Sequence, residues 1–194
     1  MPTEVIVLNG GSRAGKTRLA RCLQDVLARA WLAFSVDTLV DALPARLRPA
    51  DEGGGAGGGE GGGETGGEGI GVGPGGEVAV GAQFRRMDAA WAAGIAAIAR
   101  AGAPVVVDDV FLGGADSQAR WRAALAGLDV LWVGVRCDPD VAAAREAARG
   151  DRAAGMARSQ ADAVHRGVAY DLVVDTTHTD AASCARAIAA HVVD

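Results

Sequence analysis

Aromatic residues are scarce in this chain of 194 residues, at 4%. An excess of positive charge is missing too, since the net charge is −5. Without a surplus of Lys and Arg there is no broad pull on DNA, RNA or anionic lipid, so neither a nucleic acid nor a membrane is expected as a partner. Cysteine is sparse: Cys22, Cys137 and Cys184 are widely spaced and form no CxxC pair. That argues against a disulfide scaffold or a zinc site and for buried free thiols in a reducing compartment. The start, Met1-Pro2-Thr3-Glu4, has no basic region of a signal peptide. No stretch approaches the ~18–20 uncharged apolar residues that a membrane span needs. A cytoplasmic protein is expected.

What remains is aliphatic sequence sufficient for the core of one α/β domain spanning residues 1–194. Short β-branched runs read as strands at Val5–Leu8, Ala33–Val36, Pro104–Val107, Val130–Val135 and Leu172–Val174. Between them lie helical patterns at Lys16–Ala28, Thr38–Leu47, Gln83–Ala101 and Ala115–Ala126. A further helix begins at Pro139, capped by Asp138, another runs to about Arg166, and Asp180–Val192 closes the chain. This alternation predicts βαβ units and a parallel sheet of five strands covered on both faces. Such folds bind ligands beyond the carboxyl ends of their strands. Polar residues gather there: Gly10–Thr17 after the first strand, Asp37 after the second, Asp108 and Asp109 after the third, Arg136 after the fourth and Asp175–His178 after the fifth. The segment Glu52–Gly76 does not fit. It holds 16 of the 29 glycines and is expected to bury too little apolar surface to offset its ordering entropy, as a disordered insertion or a mobile cover over a binding site.

Gly10-Gly11-Ser12-Arg13-Ala14-Gly15-Lys16-Thr17 matches GxxxxGK[ST] at every fixed position, after a strand and at the opening of a helix. Glycines let the backbone wrap closely around phosphates, and successive N–H groups at a helix N-terminus make an anion cradle. Lys16 is expected on the β- and γ-phosphates of ATP and Thr17 on Mg²⁺. Asp108 or Asp109 fits the acidic position that binds Mg²⁺; the sequence does not say which, and either could instead cap a helix or be structural. Asp37 is placed to orient an acceptor hydroxyl and take its proton, with an N-cap for the following helix as the rival reading. Arg136, Arg145, Arg149 and Arg152 bracket the helix after the fourth strand. They read as a lid that stabilises charge in phosphoryl transfer, or as a solvated basic face. Gly150 and Gly155 would be its hinges. His165, His178 and His191 have no ligand-like spacing and read as structural or surface residues.

The chain also resembles the chloramphenicol phosphotransferase family. The resemblance is carried by Leu8–Lys16 (LNGGSRAGK), Trp31–Pro44 (WLAFSVDTLVDALP), Val107–Gly114 (VDDVFLGG), Leu128–Asp138 (LDVLWVGVRCD), Ala148–Ala157 (ARGDRAAGMA), Val164–His178 (VHRGVAYDLVVDTTH) and Ala187–Val193 (AIAAHVV). It implies a P-loop NTPase fold of the adenylate-kinase-like, three-layer type. It also implies ATP and Mg²⁺, an aspartate base at Asp37, phosphate or lid roles for Arg136 and the ARGDR arginines, and a homo-oligomer. The implied acceptor is chloramphenicol, phosphorylated on its primary hydroxyl. The departures are Glu52–Gly76, where the family is shorter, and Arg13, which replaces a small residue. Other expectations stay open: a kinase for another small alcohol, such as a sugar acid, a nucleoside or a different antibiotic, or a nucleotide-binding regulator without transfer activity. Asp37 speaks against the last.

Overall fold

The structure, a computed structural model, describes residues 2–49, 67–149 and 154–193. Its centre is a parallel sheet of β1 (Val5–Asn9), β2 (Leu32–Ser35), β5 (Val105–Asp109), β6 (Val130–Arg136) and β7 (Leu172–Asp175), ordered β2-β5-β1-β6-β7. The first and third core strands, β1 and β5, are the middle ones, buried at every position, which is why they read as unbroken apolar runs rather than alternating ones. Side chains still alternate between the faces. Ile6, Leu8, Val106, Val133 and Val135 join a core with α1 (Lys16–Val26) and α7 (Ala181–Ala189). Val5, Val7, Val105, Val107 and Trp132 join a second core with α3 (Ala82–Arg100) and α4 (Ala115–Ala124). The result is three layers, with the order of connections reversing between β1 and β5. That switch point opens a crevice at the carboxyl edge.

Several element boundaries differ from the expectation. The helix expected over Thr38–Leu47 is α2 (Val36–Ala42), followed by a 3-10 turn at Ala45–Leu47. Pro44 breaks it: Leu43 before it is extended, as a residue preceding proline tends to be. The helix expected to reach Arg166 is a short α6 (Met156–Gln160) and a separate 3-10 turn, Ala163–His165. The helix α5 (Pro139–Arg149) starts as expected, with Asp138 Oδ1 accepting from the N–H of Asp140 at 2.8 Å and of Val141 at 3.2 Å.

The Gly-rich segment needs a correction at its end. Residues 52–66 lie outside the described residues, but the remainder is folded. Ile70–Val72 forms β3, paired antiparallel with β4 (Val78–Val80), Ile70 opposite Val80 and Val72 opposite Val78. Ile70 and Val80 pack on Leu39, Leu43, Leu47 and Phe84. The physical reason is period two: apolar residues at 70, 72, 78 and 80 line one face of a hairpin, and Gly76, at φ 78°, makes the turn.

Candidate active site

β1 delivers the chain into the phosphate loop with Asn9. A Cβ on Gly10 would lie 2.4 Å from the carbonyl oxygen of Val135, so only glycine fits there. Gly15 turns the loop into α1 in the left-handed region, at φ 85°. Arg13 is also left-handed, at φ 61°, a conformation that costs a non-glycine residue on the order of 1 kcal/mol. Ser12 Oγ is buried and meets no hydrogen-bond partner among the described residues. A buried hydroxyl inside an N–H-lined loop suits an anionic oxygen.

Lys16, the single lysine of the chain, is 7% exposed, with Nζ 3.0 Å from Gly11 O and 3.6 Å from Asp108 Oδ1. Thr17 Oγ1 donates to Asp108 Oδ2 at 2.7 Å. Asp108 therefore stands on the face of β5 that looks at α1, while Asp109 faces α3 and α4. Asp109 Oδ1 accepts from Val110 N–H at 2.7 Å and Oδ2 from Trp121 Nε1–H at 2.5 Å. Burial pushes the Asp109 carboxyl up to about 6, with the carboxylates of Asp88 and Asp108 adding to the effect against those two hydrogen bonds. Of the two aspartates, the structure brings only Asp108 against both Lys16 and Thr17.

Asp37 lies in the first turn of α2 rather than at a strand end or at the cap. Ser35 is the cap, its Oγ accepting from Asp37 N–H at 3.2 Å. Ser35 is the register partner of Asp108, so Asp37 begins a helix on the far side of Asp108 from the phosphate loop. A carboxylate in a first turn is favoured by the helix dipole. On the strand before it, Phe34 meets Trp91 edge to face at 5.7 Å, both packed against the α3–α4 core.

Arg136 ends β6 opposite Asp175. Its side chain is 47% exposed, with Nη1 3.9 Å from Asp162 Oδ1, and it opens onto a cleft of about 440 Å³ lined also by Asp138, Asp162, Thr177 and His178. Arg145 is placed elsewhere. Its guanidinium donates to Thr176 O at 2.8 Å, Arg13 O at 3.4 Å and Cys137 Sγ at 3.2 Å, so it ties the phosphate loop to the end of β7. Thr176 Oγ1, 2.8 Å from Ala14 O, does the same from below. Arg149 is exposed at the end of α5; Arg152 and Gly150 lie outside the described residues.

Further support for the loop comes from α6. Gln160 Oε1 accepts from Ser12 N–H at 2.8 Å. Glu146, 5% exposed, accepts from Gly155 N–H and Ala157 N–H, both at 2.9 Å, and so caps α6, whose own cap residue, Gly155, has no side chain. Asn9 and His165 form part of a buried network. One signal was present in the sequence: Asn9 is a polar residue at the end of an apolar strand.

Solved structures share this architecture. They include a sugar kinase of Janibacter sp. HTCC2649 (TM-score 0.62, 16% identity, 96% of this chain and 92% of that one). The APS kinase of Mycobacterium tuberculosis, solved with AMPPNP and APS, has TM-score 0.58 and 16% identity over 96% and 95% of the two chains. A gluconokinase of Sinorhizobium meliloti 1021 has TM-score 0.57 and 17% identity over 97% and 90%. The fold is that of the P-loop kinases. A sequence model described as "Chloramphenicol phosphotransferase-like protein" matches residues 3–193. A Mycobacterium tuberculosis (H37Rv) protein named "Putative O-phosphotransferase" is 33% identical over 94% of this chain and 79% of its own length. The chain belongs to the chloramphenicol phosphotransferase-like family, and it is a phosphotransferase that acts on a hydroxyl of a small molecule.

Proposed function

We propose that the protein transfers the γ-phosphoryl group of ATP to the primary hydroxyl of chloramphenicol or a close analogue, in the cytoplasm, as an antibiotic-resistance or self-protection enzyme. Asp37 is the observation that carries this reading. Its carboxylate lies in the first turn of α2, which follows the strand paired with Asp108 on the side away from the phosphate loop, and a proton acceptor there suits an acceptor hydroxyl. Asp37 takes the hydroxyl proton as the oxygen attacks. Lys16 follows the phosphoryl group, and Arg136, whose side chain is half exposed and loosely paired, swings onto its oxygens. The residues fit Mg²⁺: Thr17 Oγ1 and Asp108 Oδ2 are hard oxygen donors 2.7 Å apart at the base of the loop. When bound there, the ion neutralises charge on the β- and γ-phosphate oxygens. The folded β3–β4 hairpin packs on α2, the helix that carries Asp37, and this favours a second reading in which the acceptor is another small alcohol.

An ADP-release assay against a panel of alcohols that includes chloramphenicol tests the acceptor. Asp37→Asn tests the base. Because Ser35 supplies the cap, the substitution leaves helix and melting temperature nearly unchanged, while kcat falls by roughly 10²–10⁴-fold. A wild-type kcat with the true acceptor would remove Asp37 from this role.

A further inference from the structure

The turn of the β3–β4 hairpin rests on another part of the chain. Gly73 N–H donates to Glu77 O at 2.8 Å and Gly76 N–H to Gly73 O at 3.0 Å, which closes the turn. Its tip lies backbone to backbone against the start of α6. A Cβ on Gly76 would lie 2.2 Å from Met156 N, and one on Gly155 would lie 2.9 Å from Gly75 O. Ser159 Oγ is 3.0 Å from Gly76 O and 3.0 Å from Met156 O, so its one proton is shared between the hairpin and α6. The next residue is Gln160, whose Oε1 holds Ser12 N–H, and a Cβ on Gly11 would lie 3.3 Å from Gln160 Cβ. At the other end of the hairpin, Ile70 and Val80 pack on Leu39 and Leu43 at the helix of Asp37. Direct contacts therefore run from the phosphate loop through α6 and the turn to α2. They join the carboxyl end of β1 to that of β2 by a route outside the sheet.

We propose that the hairpin turn is a latch between the phosphate loop and the helix of Asp37, with Gly76 and Ser159 as its positioning residues. The proposal rests on the phosphate-loop reading above and not on the identity of the acceptor. A nucleotide that fills the loop fixes Gly11 and Ser12. Gln160 and α6 then lose freedom, and the turn docks on a surface that is already ordered, at less entropic cost. By reciprocity, an acceptor that orders α2 favours nucleotide at the loop by the same factor. The two ends of the hairpin are unequal. Toward α2 it is anchored by apolar side chains; toward α6 it is held by two glycine approaches and one shared hydroxyl. The thinner contact opens first, so the hairpin travels with α2 and parts from α6.

The test is hydrogen–deuterium exchange of the full chain, read over residues 68–81 and over the phosphate loop. It is run with and without adenosine 5′-(β,γ-imido)triphosphate and Mg²⁺. In the wild-type protein the analogue is expected to slow exchange in both segments, by about fivefold or more in the hairpin. Ser159→Ala removes the hydroxyl of the latch and is expected to cut the hairpin slowing to less than about twofold while the loop slowing stays. Gly71→Ala, on β3 where an added Cβ meets nothing within 4 Å, is expected to match wild type. Should Ser159→Ala disturb α6 itself, Gly76→Ala breaks the same contact from the hairpin side. Loss of the hairpin slowing in Ser159→Ala or Gly76→Ala, with the loop slowing intact, supports the latch. A wild-type hairpin that is not slowed while the loop is, slowing that survives in both latch variants, or its loss in Gly71→Ala overturns the latch alone. A wild-type loop that the analogue does not slow overturns the phosphate-loop reading, and the latch with it.

Discussion

Two buried groups on the same face of the sheet titrate in opposite senses, which makes the response to acid a quantitative test. His165 has its pKa lowered from 6.5 to about 4, with Tyr170, Arg136, Lys16 and Asp162 around it. Asp109 has its pKa raised from 3.8 to about 6, with Asp88, Asp108 and Trp121 around it. Between pH 6.5 and 4 the unfolded chain protonates His165 more readily than the folded one, so acidification costs stability, by about 3 kcal/mol from pH 7 to pH 4. Between about pH 6 and 4 the folded chain protonates Asp109 more readily, so acidification returns about 2–3 kcal/mol. In the metal-free protein these two contributions nearly cancel. Removing either exposes the other. Urea unfolding in EDTA at pH 7, 5.5 and 4 should show His165→Asn gaining about 3 kcal/mol relative to wild type as the pH falls, and Asp109→Asn losing about 2–3 kcal/mol. Whatever each substitution costs at pH 7 drops out, because the readout is the change with pH. Exposed carboxylates such as Asp175 and Asp180 drop out as well, being common to all three proteins. Parallel curves for His165→Asn and wild type would mean that His165 is not held neutral by its surroundings.

Lys16→Ala should abolish transfer by 10²–10³-fold or more in a protein that still folds, since no second lysine exists to replace it; near-normal turnover would contradict the loop assignment. Glu146→Ala strips two backbone N–H groups of α6 of a charged acceptor, a loss of about 3–5 kcal/mol and roughly 10 °C in melting temperature. It should also raise KM for ATP through Gln160 and Ser12, and a thermal shift under 2 °C, read by scanning calorimetry, would refute the link. Deleting residues 53–66, which hold only Gly, Ala, Glu and Thr, should leave the melting temperature within about 2 °C of wild type. Extending the deletion through Gly69 should lower it, because Phe84 N–H and Gly81 N–H donate to Glu68 O and Gly69 O at 3.1 and 2.6 Å.

Much of this was readable without coordinates, for a local reason. A phosphate loop is a contiguous string, and strands buried on both faces appear as short β-branched runs, so the loop and the five strands stand out. The choice between Asp108 and Asp109 did not. Three valines precede them with no polar residue to mark a face, and only the position of α1 distinguishes the two sides. The hairpin was hidden by dilution: Ile70 and Val72 alternate with glycines inside a segment whose composition signals disorder. Arg145 looked like a lid residue because Arg149 sits one turn on, yet its length lets it reach back to the loop. The Asn9–Tyr170–His165 network joins residues 161 positions apart, and no local pattern announces it.

The alternation along the strands accounts for how the site divides its work. Leu8, Asp108 and Val133 are register neighbours across β5, β1 and β6 and point to the α1 side; Asn9, Asp109 and Gly134 are the next set and point to the α3–α4 side. The first side carries Lys16, Thr17 and Asp108, joined by contacts of 3.6 and 2.7 Å. The second carries Asn9, with Tyr170 pressed against Gly134, where an added Cβ would lie 3.0 Å from the ring. Arg136, two residues beyond Gly134, continues that side to the edge of the sheet. One position of shift along a strand thus separates the residues gathered at the phosphate loop from the Asn9–Tyr170 contacts on the other face. Exchanging the roles of Asp108 and Asp109 would require turning the strand over, so Asp108→Asn with Asp109 intact should leave no carboxylate to take its place beside Thr17.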